Sequence, residues 1–380
     1  MKADNKPLCD EIARLERSID PEALVHFFAG LYDRESGGFY YSNSARDNPQ
    51  FYPDIESTSQ AVTVLSSFGM FSLKDKSSYP SGFGSALADF YLARQDEESG
   101  FFYDSQFGKE VSESKKGRNT SQALTRLEYM GIEPRVPSPY SRDTGSVAPV
   151  LGEQYASIQS FREWLDSMEW DSDDGHKQYY YGNMLSASKG SIIAAGFLDY
   201  TRDYLKARQN SETGLWGKKK DSQAMNAAMK ISTLYDSVYP YPCVEKMLIS
   251  VLDIVKSEEP YSVATLWNPL VLMREIIRTY GEIPENISGI MNEKLRELLS
   301  ISVDRVQRFK KDDGGYSYYP ECSSRTSQGV TVSLGLAEGD VNATMLATAS
   351  LRDTMCVIAG TKGTDILARY RDEFFDAILR

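Results

Sequence analysis

The chain has 380 residues, 41% of them hydrophobic, and a formal net charge of −12. This length and apolar content are enough for a large buried core, and no apolar stretch is long enough to cross a bilayer. An acidic surface repels nucleic acid and anionic membranes, so we expect neither as a partner. Because no apolar signal segment follows Met1, the expected location is cytoplasmic.

Cysteine and histidine usage limits the possible chemistry. The four cysteines are far apart and form no Cys-x-x-Cys pair, which predicts free thiols in a reducing compartment: Cys9, Cys243, Cys322 and Cys356. The chain contains two histidines, His26 and His176. A metal site built from several histidines is therefore excluded, and we expect neither a metal nor another cofactor.

Apolar periodicity predicts helices that fall into pairs, with few strand signals. In chain order the predicted pairs are 21–31 with 56–68, 82–94 with 119–130, 155–168 with 183–197, 198–208 with 221–235, 243–255 with 268–280, and 286–309 with 340–358. Residues 1–20 form a lead-in and 365–380 a closing helix. No low-complexity linker divides the chain, so residues 1–380 are predicted to form one domain.

Polar residues before the helices, and glycines after them, suggest where the helices begin and end. Asn and Asp are favoured N-caps, proline is favoured at the first helical position, and glycine suits a left-handed C-cap. The predicted N-caps are Asn119, Asn183, Asp221, Asp340, and Asn268 followed by Pro269. The predicted C-caps are Gly131 and Gly281.

The two helices of each pair differ in composition. Second helices are rich in alanine, which indicates that neighbours enclose them, whereas first helices carry more charge, as an outer layer does. Outer and inner helices in alternation close into a double ring that leaves no exposed end. The sequence therefore predicts an all-α protein, an (α/α)6 toroid of about twelve helices around a central cavity.

Two short words recur along the chain. The first joins a glutamine to a glycine and an aromatic residue, with looser copies that lack the glutamine. Its copies are Gln95 to Gly100-Phe101, Gln209 to Gly214-Leu215-Trp216, Gly37-Gly38-Phe39-Tyr40 and Gly314-Gly315-Tyr316. The second word, Ser-Gln-Ala, stands at 59–61, 121–123 and 222–224. Glycine permits a sharp turn there, and the aromatic ring fills the gap between adjacent pairs.

The element at Gln209, Gly214 and Trp216 resembles the QW repeat of squalene cyclases and other terpenoid cyclases. That superfamily includes the protein prenyltransferase β subunits, and the resemblance implies an α/α toroid. It does not imply one reaction, because polysaccharide lyases and glycoside hydrolases also use toroids of this kind. Prenyltransferases hold zinc with an aspartate, a cysteine and a late histidine. No histidine follows His176, so that set cannot form in this order.

The segment Asp171-Ser172-Asp173-Asp174 matches the DxDD signature of class II terpene cyclases. The resemblance implies that Asp173 is a proton donor, whose pKa crowded carboxylates would raise. Gly175 follows the motif, however, and Asp-Gly is an ordinary turn, so a solvated loop is the alternative. Class II cyclases also usually carry a second toroid, which 380 residues cannot supply.

A second candidate set comes just before the third inner helix. Toroidal lyases use His or Tyr as acid and base and Asn to neutralise a uronate, and such residues suit proton abstraction next to a carbonyl. The set is His176, Tyr179, Tyr180, Tyr181 and Asn183. The alternative is aromatic packing in a loop, with Asn183 as a helix cap.

A third set lies at the N-terminal ends of the inner helices, which converge on one mouth of the cavity in a toroid. Its members are polar, as a site for a neutral sugar requires: Tyr52, Asp54, Glu56, Thr58, Gln60, Arg118, Asn119, Gln122, Asp221, Gln223, Asp340 and Asn342. Asp54 and Glu56 are the candidate acid and base. Capping and packing within the repeat are the alternative.

The favoured functional hypothesis is an enzyme that binds a carbohydrate-like small molecule or oligosaccharide in the cavity, as glycoside hydrolases or lyases do. The alternatives are a terpenoid-cyclase-like enzyme and a binding protein without catalysis. The candidate catalytic residues are Asp54, Glu56, Asp173 and His176. The candidate ligand-binding residues are Tyr52, Gln60, Gln122, Tyr181, Gln223 and Asn342.

Overall fold

The computed structural model describes residues 6–138, 152–235, 243–280 and 285–380. Most of this part of the chain is helical, which confirms the all-α prediction. Its one sheet is a short antiparallel hairpin of β1 (Thr326–Ser327) and β2 (Val330–Thr331), in which Thr326 pairs with Thr331. Within the same ranges, no helix is both long and apolar enough to span a membrane.

The helices follow the predicted order closely. They are α1 (Lys6–Ser18), α2 (Pro21–Leu31), α3 (Asn43–Arg46), α4 (Ile55–Ser67), α5 (Ser81–Leu92), α6 (Glu113–Met130), α7 (Ile158–Asp166), α8 (Gly175–Ala187), α9 (Lys189–Ala194), α10 (Leu198–Arg208), α11 (Ser222–Ser232), α12 (Val244–Ser257), α13 (Ala264–Tyr280), α14 (Glu285–Val306), α15 (Val341–Met345), α16 (Leu351–Ala359) and α17 (Arg371–Leu379). A π-helical turn, Leu346–Ser350, joins α15 to α16.

Helix α1 is a helix that the sequence reading treated only as a lead-in. It is strongly amphipathic, and its apolar side chains Leu8, Ile12 and Leu15 are buried in the core. It contacts α14 and α16, so it packs against the last third of the chain. The sequence did not predict this helix within the lead-in because the charged residues between these positions mask the apolar stripe.

Two of the predicted N-caps are confirmed. The side chain of Asp221 accepts a hydrogen bond from the backbone N–H of Ala224 at 2.9 Å, and Asp340 does the same for Ala343 at 2.7 Å. Gly131 ends α6 in the left-handed conformation, with φ of 63°. Gly281 lies outside the described residues.

Two other predicted caps lie inside helices. Helix α6 begins two turns before Asn119, at the N-cap Ser112, and Asn119 donates to Asp104 at 2.8 Å. Asp174 caps α8, so Asn183 falls within that helix. Both predictions were wrong because the polar first turns of these helices carry no apolar periodicity.

The third incorrect cap is Asn268. Helix α13 begins at Ala264, and Pro269 therefore stands inside it. The amide of Asn268 donates to Asn226 of α11 at 2.8 Å instead of capping its own helix. The Asn-Pro pair predicts a helix start from local chemistry, but contacts with α11 override that preference.

The second helices of the pairs contact one another in a consistent order. Helix α6 packs on α4, α4 on α15, α16 on α13, α13 on α11, and α11 on α8. The alanines of α11 and of the α15–α16 segment are buried, as enclosed helices require. The second helices of the predicted pairs thus contact one another in an unbroken series from α6 to α8.

The glycine-aromatic word adopts the same turn at each of its four copies. An isolated β-bridge closes every copy: Tyr32 with Phe39, Gln95 with Phe102, Gln209 with Trp216, and Lys310 with Tyr316. The glycine has a positive φ, for example 87° at Gly314. A Cβ added there would lie 2.3 Å from the carbonyl oxygen of Ala23 in α2, so the turn after α14 packs directly on the start of the chain's second helix.

Three of these turns are tied to the inner helix that follows. The N–H of the aromatic residue donates to a threonine hydroxyl at about the same distance each time: Phe39 to Thr58 at 2.9 Å, Phe102 to Thr120 at 3.1 Å and Tyr316 to Thr344 at 2.9 Å. These threonines are structurally equivalent. The residues two positions earlier, Glu56, Arg118 and Asn342, are therefore equivalent as well.

This equivalence separates one Ser-Gln-Ala copy from the other two. Asp54 and Asp340 cap their helices four residues before the threonine, and Asp221 caps α11 in the same way. Gln223 therefore matches Glu56, not Gln60. The word at 222–224 is displaced by one helical turn, so its likeness to the other copies does not reflect a shared position.

Candidate functional site

A buried ion cluster lies in the first turn of α4. Glu56 is 3% exposed and forms ion pairs with Lys115 at 3.2 Å and with Arg118 at 2.6 Å, both from α6. Its carboxylate also accepts hydrogen bonds from Ser327 at 3.2 Å and from Gln60 at 3.3 Å. Every partner of Glu56 is a donor, so the carboxylate is held in its ionised form.

The pKa of Glu56 reflects this competition. Burial raises it, but the charges of Arg118 and then Lys115 lower it further, and the net pKa lies below its ordinary value. For Lys115, burial lowers the pKa because it opposes the charged form. Attraction from Asp54 and Glu56 raises the pKa by more, so the net pKa lies above its ordinary value. A carboxylate that is ionised at neutral pH has no proton to donate, so Glu56 does not suit the role of general acid.

Asp54 is engaged as a helix cap. It is 2% exposed and accepts hydrogen bonds from the backbone N–H of Ser57 at 2.9 Å and from its hydroxyl at 2.6 Å. Both carboxylate oxygens are thus committed to the first turn of α4. The capping alternative accounts for Asp54 better than an acid or base role does.

Asp104 is a buried carboxylate that the sequence reading missed. It accepts from the N–H of Ile55 at 2.9 Å and pairs with Arg94 at 3.4 Å. Burial, followed by the nearby charge of Asp54, raises its pKa to about 6. It follows the aromatic residue of a repeat turn by two positions, and no local pattern marks it in the sequence.

The two glutamines of the in-register Ser-Gln-Ala words each keep an unpaired oxygen. Gln60 donates through its amide nitrogen to Glu56 and to Asn342, the latter at 3.0 Å, and this fixes the orientation of its amide. The remaining oxygen is buried without a hydrogen-bond partner, and so is the amide oxygen of Gln122 on α6. Buried acceptors left unpaired are costly, and among the described residues Asn119 and Gln178 each keep an unpaired amide oxygen as well.

Four tyrosines form what we call the tyrosine cluster: Tyr179, Tyr261, Tyr318 and Tyr319. The hydroxyl of Tyr318 interacts electrostatically with the other three, and its ring lies 5.1 Å from that of Tyr319. Tyr261 and Tyr319 are 45% and 37% exposed, so their rings are accessible. This cluster brings together α8, the segment before α13 and the loop after α14.

Amide side chains of α11 contact the tyrosine cluster. The hydroxyl of Tyr261 accepts from Gln223 at 3.1 Å and from Asn226 at 3.3 Å. Burial raises the pKa of Tyr261, and these two hydrogen bonds lower it. The amides therefore hold the phenol in one orientation while its ring stays partly exposed.

Lys230 is the second functional candidate that the sequence reading missed. Burial and then the charge of Arg118 lower its pKa to about 8. Among the described residues its ammonium group has no hydrogen-bond or ion-pair partner. Burial raises the pKa of the Tyr179 hydroxyl, and the charge of Arg118 lowers it. Arg118 is therefore within electrostatic range of the ion cluster, the tyrosine cluster and Lys230. The sequence does mark this position, since Lys230 is the one charged residue of the alanine-rich α11.

The DxDD segment lies on the surface. Asp173 is exposed, and Asp174 caps α8 by accepting from the N–H of His176 at 3.0 Å. His176 is exposed as well. A cyclase proton donor requires enclosed apolar surroundings, which the exposed Asp173 does not have. The segment therefore fits the alternative of a solvated loop.

Two further candidates lie apart from the polar groups described above. Tyr52 is 54% exposed, and its backbone N–H bonds the side chain of Gln106 at 2.9 Å. The ring of Tyr181 packs 5.5 Å from that of Trp170 in the core. Of the predicted ligand-binding residues, the structure links Gln60 and Asn342 to Glu56, and links Gln223 to Tyr261.

Comparisons of the chain with protein-family models, curated proteins and solved structures found no match. Among the described residues, no group of three or more His, Cys, Asp or Glu side chains is placed to hold a metal ion. The four cysteines, all within those ranges, are free thiols.

Proposed function

We propose that the chain forms a single α/α toroid and that it binds a carbohydrate-like ligand among the polar side chains of its inner helices. The order of contacts from α6 through α4, α16, α13 and α11 to α8 supports the toroid. So does the turn at Gly314, which packs on α2 and brings the last helix pair beside the first. The resemblance to terpenoid cyclases and prenyltransferase β subunits supports the proposed fold and not the proposed ligand.

The observation that carries the ligand proposal is the pair of unpaired amide oxygens, on Gln60 and Gln122, taken together with the exposed rings of Tyr261 and Tyr319. A sugar offers hydroxyl donors for such acceptors, and its apolar C–H faces pack on aromatic rings. The accessible rings of Tyr261 and Tyr319 provide those surfaces. The arrangement suits a polyhydroxylated molecule better than a purely apolar one, whose burial would leave the amide oxygens unpaired.

Among carbohydrate reactions, the geometry favours lyase-type proton transfer over hydrolysis. The pair that a glycoside hydrolase needs would be Asp54 and Glu56, but one is a cap and the other is ionised and ion-paired. Tyr179 is different, because burial raises its pKa and it is therefore a neutral phenol beside the cation Arg118. Such a phenol is a suitable proton donor to a leaving oxygen, while a water molecule takes the proton removed from the carbon next to the substrate's carbonyl group.

Binding and reaction are tested with matched tyrosine variants. Isothermal titration with a panel of neutral and acidic oligosaccharides measures affinity, and ultraviolet absorbance detects the unsaturated product of a lyase. We expect Tyr261→Ala to weaken binding about tenfold, the size of one lost aromatic contact. Tyr179→Phe should abolish the absorbance change while binding is retained.

The matched control is Tyr180→Phe, which changes the 62% exposed neighbour of Tyr179 on the same helix. It should leave both measurements unchanged. Equal affinity of the wild-type protein and Tyr261→Ala for every saccharide in the panel would contradict the binding proposal. An absorbance change that survives Tyr179→Phe would contradict the role of Tyr179 alone.

A further inference from the structure

Lys230 stands out because its charge has no countercharge. The four buried carboxylates nearby are already engaged: Glu56 by Lys115 and Arg118, Asp104 by Arg94, Asp54 as a cap with Lys115 nearby, and Asp340 as the cap of α15. No carboxylate of the described residues raises the pKa of Lys230, whereas the charge of Arg118 lowers it. In a chain of net charge −12, this half-buried pair of cations is a local positive site.

The backbone holds the lysine stem in place. Helices α8 and α11 pack closely where Gly182 faces α11, since a Cβ at Gly182 would lie 3.0 Å from the carbonyl oxygen of Ala227 and 3.4 Å from Cβ of Lys230. This close approach places the base of the Lys230 side chain at the contact between α8 and α11. A confined cation without a partner costs free energy in the unliganded protein, and a bound anion would recover it.

We propose that Arg118 and Lys230 bind an anionic group of the ligand, a carboxylate or a phosphate, beside the hydroxyl of Tyr179. This inference rests on the proposed carbohydrate site and specifies its ligand as an acidic sugar or a sugar phosphate. Arg118 supplies a planar donor group already oriented by Glu56, and Lys230 supplies a second, compact charge. Uncharged sugars would occupy the same tyrosine and amide surfaces without using these cations.

The test compares four probes by isothermal titration at low salt: glucuronate, glucose 6-phosphate, glucose and inorganic phosphate. We expect the charged sugars to bind at least about tenfold more tightly than glucose, since a partly buried charge pair contributes on that scale. The better of the two charged sugars identifies the anionic group as a carboxylate or a phosphate.

Lysine variants assign the effect to its residue. Lys230→Met should remove the advantage of the charged sugars, and Lys230→Arg should restore most of it. The matched control is Lys219→Met, an exposed lysine just before the same helix, which should change affinity less than twofold. Circular dichroism of each variant checks that the fold is intact.

Each result separates this inference from the proposal on which it rests. If glucose and the charged sugars bind equally and Lys230→Met has no effect, the anion site is wrong and the carbohydrate site stands. If inorganic phosphate alone binds, in a Lys230-dependent way, the anion site stands and the carbohydrate ligand is wrong. If no probe binds, both are overturned.

Discussion

At the scale of single residues, the polar interior combines satisfied and unsatisfied groups. Glu56 has a donor at each contact, whereas within the described ranges Lys230 has no hydrogen-bond or ion-pair partner and Gln60 and Gln122 each keep an unpaired amide oxygen. A fold that needed these side chains only for stability would pair them, because unpaired buried polar groups oppose folding. The unpaired groups are therefore the ones whose replacement separates stability from binding.

Lys230→Met is expected to stabilise the unliganded protein at neutral pH. Folding lowers the pKa of this lysine from 10.5 to about 8, so the folded state holds its proton less tightly than the unfolded state does. The penalty is fully present below pH 8 and disappears as pH rises to about 10.5. Urea unfolding at pH 7 should show a gain of roughly 2 kcal/mol or less, since partial solvation discounts the shift.

The pH dependence provides the control for this prediction. The gain from Lys230→Met should shrink between pH 8 and pH 10.5, whereas Lys219→Met should give no gain at either pH. A variant that is less stable than the wild type at pH 7 would indicate that Lys230 is a structural residue.

At the scale of elements, the four glycine-aromatic turns set the spacing between helix pairs. Gly314 and its counterparts adopt positive φ and lie against another helix or the following segment. In three of the turns the N–H of the aromatic residue donates to a threonine of the next long helix. These three turns therefore couple the helix before each turn to the helix after it. The repeated word in the sequence corresponds to a packing requirement.

Gly314→Ala tests the close approach of its turn to α2. The added methyl group would lie 2.3 Å from the carbonyl oxygen of Ala23, which is backbone and cannot rotate away. We expect a loss of about 3 kcal/mol in the free energy of unfolding, the sum of left-handed strain and displacement of the turn.

Gly131→Ala is the matched control for that change. Gly131 also has a positive φ, of 63°, but a Cβ there meets no atom within 4 Å. Its cost should be limited to about 1 kcal/mol of backbone strain. Equal losses for the two variants, measured by denaturant unfolding, would show that contact with α2 contributes nothing.

At the scale of the whole molecule, Arg352 ties together segments that are distant in sequence. From α16, it donates to the carbonyl oxygen of Thr364 at 2.9 Å and to that of Ser67, at the end of α4, at 2.5 Å. Its guanidinium group lies 4.1 Å from the ring centre of Phe68, and the side chain is almost fully buried. The beginning and the end of the chain thus meet at one arginine.

Arg352→Met should lower the free energy of unfolding by about 3 kcal/mol, because a buried guanidinium group that donates to two partly buried carbonyl oxygens is lost. Arg369→Met, which removes an exposed arginine close to the same segment, should cost less than about 0.5 kcal/mol. Denaturant unfolding monitored by tryptophan fluorescence measures both. A loss for Arg352→Met no larger than that of the control would contradict this role.

Helix order was predictable from the sequence, and the polar interior only in part. Apolar periodicity and small-residue content located the helix pairs, since both follow from burial alone. The starts of α6, α8 and α13 were missed because local capping chemistry competed with tertiary contacts, as at Asn268. Lys115 and Lys230 were missed because a lysine in a helix reads as a surface residue until its neighbours are known.

The equivalence of Glu56, Arg118, Gln223 and Asn342 has a consequence for recognition. Four helices repeat one backbone frame, yet at the same position they present an acid, a base and two amides. Because the backbone geometry repeats and the side chains differ, a molecule at these positions would bind more tightly in one orientation than in the others. If the proposed ligand contacts these four positions, we expect it to be asymmetric, with a different functional group towards each helix, and a symmetric compound of the same size to bind less tightly.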